Sequence, residues 1–147
     1  MADTNVFAGG WAVTVLNALA TGASITPPTN RYLALLKSTV PTDDTGTLTE
    51  FTAYSSATRP AITFGTASVT GGNDYQSVSS NASVSFTMTG SDTITGIAIT
   101  TSNTKGNTLG TGSGGDVIWF GTLTSSIPVS TSNVLTFSSG QITIRLG

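Results

Sequence analysis

Seven carboxylates and five basic side chains carry nearly all the charge-based chemistry of this sequence, because it has no histidine and no cysteine. Without histidine, the usual general base and metal ligand at neutral pH is missing, and so is every Ser-His or Cys-His nucleophile. Glycosidase chemistry needs two carboxylates across a cleft. The adjacent pair Asp43-Asp44 stands between Pro41 and Gly46, where aspartates are favoured for hydrogen bonds to their own backbone. No D-x-D-x-D-G ladder for calcium is present. Lys37-Ser38 and Lys105 make no recognisable Ser-Lys dyad. Asn81-Ala82-Ser83 is a glycosylation sequon with no export signal ahead of it. The sequence predicts no catalytic residue, no metal ligand and no cofactor, hence no enzyme.

Composition narrows the class further. The 147 residues suit one domain with a real core. The absence of cysteine excludes a disulfide framework and fits folding in a reducing cytoplasm. Charged residues are 8% of the chain, against about 25% in a typical soluble domain. Serine and threonine, about a third of the residues, replace them. A hydroxyl surface is covered by a partner without stranding a charge, which suits permanent assembly; threonine also has high β-propensity. Arg31, Lys37, Arg59, Lys105 and Arg145 are scattered along a chain of net charge −2, so no basic patch for nucleic acid is expected. No apolar run approaches the ~20 residues of a membrane span.

The elements follow from periodicity. Residues 1–10 read as an N-terminal arm, polar except for Val6 and Phe7, that adds to a neighbour's sheet edge. Residues 11–147 read as a single domain. Trp11, Val15, Leu16 and Leu19 recur near helical spacing over residues 11–20, with Gly22 placed to end the helix. Pro27-Pro28 marks a connector. Arg31 to Lys37 reads as a buried strand and residues 39–50 as a loop. From residue 59 onward apolar residues alternate: Ile62/Phe64, Val84/Phe86/Met88, Ile97/Ile99, Leu135/Phe137 and Ile142/Ile144/Leu146. Turn clusters separate these runs. Residues 117–123 are apolar on both faces, as in a central strand. Val117 to Leu146 is expected to form the centre of the sandwich, with Ser138–Gln141 closing a hairpin between the last two strands. Of Trp119 and Phe120, one should face the core and the other the helix or a subunit contact. The predicted fold is all-β, an antiparallel β-sandwich of jelly-roll or Ig-like type with one short N-terminal helix.

The order of PPTNRYLALLKSTVP, TEFTAYSSATRPAITF, SNASVSFTM, ITGIAIT, DVIWFGTL and VSTSNVLTFSSGQITIRLG is similar to that of a family of small tailed-bacteriophage structural proteins, often labelled tail fibre or minor tail protein. The residues that carry the resemblance are Tyr32, Ala34, Leu35, Pro41, Glu50, Tyr54, Arg59, Gly96, Gly121, Phe137 and Gly140. The resemblance implies a virion component made in the host bacterial cytoplasm. In some phages such proteins are capsid decoration, or cement, proteins. We expect such a protein here: a homo-oligomer, a trimer, bound to the major capsid protein on the outside of the head. The alternative is a tail, tail-fibre or receptor-binding accessory bound to tail proteins. The chain lacks the visible period of a fibre shaft, so it is not a complete fibre. A carbohydrate-binding module or degenerate enzyme is the third reading; it calls for exposed aromatics, and only Tyr54 and Tyr75 lie off the core positions. Val6, Phe7, Trp11, Tyr54 and Tyr75 are the expected assembly-interface residues.

Overall fold

The computed structural model describes residues 2–42, 46–69, 76–106, 108–112 and 115–146. In chain order the elements are β1 (Ala2–Phe7), α1 (Gly9–Thr21), β2 (Tyr32–Lys37), β3 (Thr47–Phe51), β4 (Ser68–Val69), β5 (Gln76–Ser79), β6 (Val84–Thr87), β7 (Asp92–Thr100), β8 (Thr108–Gly110), β9 (Val117–Val129), β10 (Val134–Phe137) and β11 (Thr143–Leu146). The architecture is an antiparallel β-sandwich with one short helix. Its main layer is a six-stranded sheet in the order β1-β9-β7-β2-β3-β8.

The second layer is made of β10 on β6, and of β11 on β5 with β4 beyond it. These two small sheets form one bent ribbon. Phe137 pairs with Val84, and Thr143 pairs with Ser79. Across the bend, Gly140 N–H donates to the Ser80 carbonyl at 2.7 Å and Ser80 N–H to the Ile142 carbonyl at 2.8 Å. The hairpin expected between the last two strands is therefore corrected. Residues 138–141 carry the chain past the bend, and β10 and β11 pair with β6 and β5 rather than with each other. A short Gly turn serves either arrangement; the partners about 60 residues upstream decide it. The loop expected at 39–50 also gives way at its end to β3, whose Leu48, Glu50 and Phe51 are buried.

Alternation along the strands fills two cores. On β2, Leu33 and Leu35 face the ribbon, joined by Ile97, Ile99, Phe86, Ile142 and Ile144. Ala34 and Leu36 face the other way, against Val40, Ala98, Leu109 and Phe120. The sheet curls around this second cluster: Gly10 N–H, after edge strand β1, donates to the Thr111 carbonyl, after edge strand β8, at 3.0 Å. The centre of the main sheet is β7 and β2, where Leu33, Ala34, Leu35, Ile94 and Ala98 are fully buried. The expected centre at Val117–Leu146 is corrected accordingly: β9 is one strand further out, between β7 and β1. The expected arm is also corrected. Residues 2–7 are a strand of this chain's own sheet, with Val6 opposite Phe120 and Phe7 opposite Trp119.

Gly96 and Gly121 meet on the adjacent strands β7 and β9, next to the register shift between Ile94 and Gly96. A Cβ at position 96 would lie 2.5 Å from the Gly121 carbonyl oxygen and 2.7 Å from Val40 Cγ2. The first atom is backbone and cannot swing away. We expect Gly96→Ala to cost about 1–3 kcal/mol, as overpacking of a filled site does. Urea denaturation reads this directly; an unchanged midpoint would show that β7 and β9 separate freely.

Candidate assembly interface

Helix α1 carries no charged residue over Gly9–Thr21. Its two threonines turn back on the helix itself. Thr14 Oγ1 donates to the Gly10 carbonyl at 3.0 Å and Thr21 Oγ1 to the Asn17 carbonyl at 2.7 Å. Gly22, in the left-handed region at φ 72°, ends the helix and donates its N–H to the Ala18 carbonyl. At about 100° per residue, Trp11, Val15 and Ala18 share one face, and Leu16 lies about 140° from Trp11. The structure therefore splits the expected apolar face. Trp11 and Val15 are half-buried against the body, while Leu16 and Leu19 point outward. No residue of α1 is buried. Val13, Leu16 and Leu19 are 58%, 64% and 81% exposed. This apolar ridge is the largest breach of ordinary surface chemistry among the described residues.

Beneath the helix, Phe7 stacks on Trp119 with ring centroids 4.8 Å apart and planes 21° from parallel. Phe7, Trp11, Val15, Pro28, Ile118 and Trp119 line a cleft of about 160 Å³. A register shift in the β7–β9 pairing, where Ile99 faces Trp119 and Thr100 faces Val117, leaves Ile118 as an extra residue. The bulge sends Ile118 and Trp119 toward the ribbon side and Phe120 into the curled sheet. Trp119 thus lies under the helix and Phe120 in the core.

Of the expected interface residues, the structure brings Phe7 and Trp11 together around this cleft. Val6 is placed by its backbone in β1. Tyr75 lies outside the described residues, as do Asp43 and Asp44. Tyr54 is corrected as a surface candidate: it is 3% exposed and meets Phe86 edge-on at 5.0 Å. Burial first, and the nearby Glu50 charge second, push its phenol well above the usual range, so it stays neutral.

One cluster escaped the sequence reading. Arg59 and Glu50 form a buried bidentate pair, Nε to Oε1 and Nη2 to Oε2, both 2.9 Å. Arg59 Nη1 also donates to the Ser102 carbonyl at 2.7 Å, and Gly106 N–H donates to Glu50 Oε2 at 2.7 Å. Lys105 Nζ donates to the carbonyls of Thr52, Tyr54 and Ser56 at 3.1, 3.1 and 2.6 Å, and sits 4.2 Å from the centre of the Tyr54 ring. All three ammonium hydrogens have partners. The cluster clamps loop 101–106 onto segment 52–59, and its charges are committed to that clamp rather than offered to a substrate. Of the bases, Arg59 and Lys105 thus converge in the fold. Among the described residues, no group of three or more acidic, His or Cys side chains is placed to hold a metal ion.

Residues 10–145 match a protein-family model described as Podophage GP4 fiber I protein gp80. No curated protein matches the chain.

Proposed function

This chain belongs to the podophage GP4 fiber I protein gp80 family, a family of phage virion structural proteins, and on that premise we propose that it is a fibre-associated component of the phage tail, held in place through the apolar face of α1. The observation that carries this reading is the family match over residues 10–145, with the uncharged exposed ridge of α1 as the surface through which it assembles. Covering such a ridge is favourable, since large apolar side chains left in water forgo about 1.5–3 kcal/mol each. Serine and threonine around it give a partner hydroxyls to bond without a charge to desolvate.

The capsid decoration reading preferred on the sequence has no support in the family's description, which names a fibre protein. Immunogold labelling of purified virions with an antibody to this chain tests the placement. Gold at the tail and its fibres is expected. Gold spread over the head would overturn the fibre reading and restore the decoration one.

A further inference from the structure

We propose that two clefts sharing Arg31 and Trp119 bind an acidic peptide segment of a partner protein, the Arg31 guanidinium taking its carboxylate and the clefts taking two large apolar side chains beside it. The first cleft, of about 160 Å³, is the one between Phe7, Trp11, Val15, Pro28 and Ile118. The second, of about 260 Å³, lies between Phe64, Ala67, Val78 and Ile144. Arg31 and Trp119 line both.

Arg31 differs from the bases that the fold uses. Lys37 pairs with Asp92, Arg59 with Glu50, and Lys105 with three backbone carbonyls. The Arg31 backbone is held, its carbonyl accepting from Ile62 N–H at 2.9 Å. Its guanidinium has no acid or acceptor among the described residues, although the residue is half-buried beside aromatic and aliphatic side chains. A guanidinium drawn partly out of water without a counter-charge has lost hydration that nothing replaces. A carboxylate supplies the missing partner, accepting two parallel N–H bonds from the planar fork.

The walls select the rest of the occupant. No side chain lining either cleft carries a hydroxyl, an amide or a carboxylate, so a neutral sugar would find no side-chain acceptor for its hydroxyls. Size points to a peptide. A cavity of about 150 Å³ takes one benzene-sized ring, whereas sites for compact ligands run to about 300–1,000 Å³. Each cleft therefore fits one large side chain, and two clefts at one guanidinium fit two side chains and a carboxylate carried by the same chain. Trp and Arg are the residue types that most often anchor protein interfaces, and Trp11, Trp119 and Arg31 line the first cleft together. The site is separate from the exposed ridge of Val13, Leu16 and Leu19, and it does not depend on where in the virion the protein sits.

Both tryptophans of the chain line the first cleft, so intrinsic fluorescence of the purified protein reports its filling. The probes are acetylated, amidated peptides that hold two phenylalanines and one glutamate, in every order, between terminal serines; glutamine analogues are the controls. At least one glutamate peptide should shift the emission saturably, and its glutamine analogue should bind about tenfold or more weakly, the effect of removing a charged hydrogen-bond acceptor. Added salt should narrow that gap. Arg31→Gln should melt like the parent and bind the glutamate and glutamine peptides alike. Arg31→Lys, which keeps the charge, should retain part of the preference. No binding of any glutamate peptide at millimolar concentration, or a preference that survives in Arg31→Gln, would overturn the proposal. So would maltohexaose, a neutral sugar chain, or sodium phenylacetate, a free small acid, binding as tightly as the peptide. Gold on the virion head would refute the fibre placement and leave this result standing.

Discussion

Arg59→Ala should remove about 3–5 kcal/mol, the usual cost of breaking a buried ion pair from one side. A domain of this size has about 5–15 kcal/mol in total, so much of the fold's stability hangs on one guanidinium. The argument is geometric. Both side chains of the Arg59–Glu50 pair are at most 1% exposed. Among the described residues, truncation leaves the buried Glu50 carboxylate with Gly106 N–H as its one donor, and leaves the Ser102 carbonyl with the Thr100 hydroxyl but without the guanidinium. Replacing both charges with apolar residues often comes out neutral in other proteins. Here Glu50→Leu with Arg59→Met should still cost about 1–3 kcal/mol, because the half-buried Gly106 N–H loses its acceptor, while the Ser102 carbonyl keeps the Thr100 hydroxyl at 2.9 Å. The exposed pair Lys37–Asp92, at 3.3 Å and with side chains more than a third exposed, is the contrast. A Thr93 backbone hydrogen bond first, against slight desolvation, and then Lys37 hold the Asp92 carboxyl below its ordinary range. Solvent screening leaves such a surface pair worth well under 1 kcal/mol. Urea midpoints of the variants give the comparison. A loss under about 1 kcal/mol for Arg59→Ala would mean that water reaches Glu50 and that the clamp is not what closes this end of the sandwich.

That clamp also shows where sequence reading stops. Glu50 and Arg59 stood out by resemblance, yet nothing local marks them as partners, and Lys105 is a further 46 residues along. Their meeting is a product of the sheet order, in which β3 lies next to β2 and loop 101–106 follows β7. The strands were legible, Arg31 to Lys37 from its unbroken apolar run and Ile97/Ile99 from its alternation, but both β2 and β7 are buried on both faces, so the pattern could not say which core each face meets. The helix was legible from Trp11, Val15 and Gly22. Its orientation was not, since its apolar residues cover more than half of the circumference and the sequence cannot say which part the body takes. The last turn failed for the same reason as the clamp. Ser138–Gln141 has the length of a hairpin, and only pairing with distant β5 and β6 shows it to be a bend in a ribbon. Tyr54 misled because it sits between turn residues, where aromatics are usually exposed; its burial comes from Phe86 and Lys105, both far along the chain.

Phe120→Ala should cost about 3–5 kcal/mol, while Trp119→Phe next to it should cost little or even stabilise. The two side chains differ in what surrounds them. Phe120 is 2% exposed and packs with Ala34, Leu36, Ala98 and Val117 inside the curled sheet. Two of those neighbours are already alanine and have no side chain to move into a void. The sheet on both sides is hydrogen-bonded, to β7 and to β1, so the site collapses poorly and the cavity persists, which puts the cost toward the top of the range. Trp119 is only half-buried, and its Nε1 is buried with no acceptor among the described residues. A buried donor without a partner costs about 1–3 kcal/mol. Phenylalanine removes that donor and keeps a ring to stack on Phe7, so the lost apolar area and the relieved penalty nearly cancel. Trp119→Ala is different again. It removes the stack, worth about 0.5–1.5 kcal/mol beyond its area, and takes away part of the floor under α1, a helix with no buried residue of its own. The order of thermal midpoints should therefore be Trp119→Phe near the parent, Trp119→Ala below it with loss of helical signal, and Phe120→Ala lowest. If Trp119→Phe falls as far as Phe120→Ala, the indole N–H does have a partner, and the cleft beneath α1 is filled rather than open.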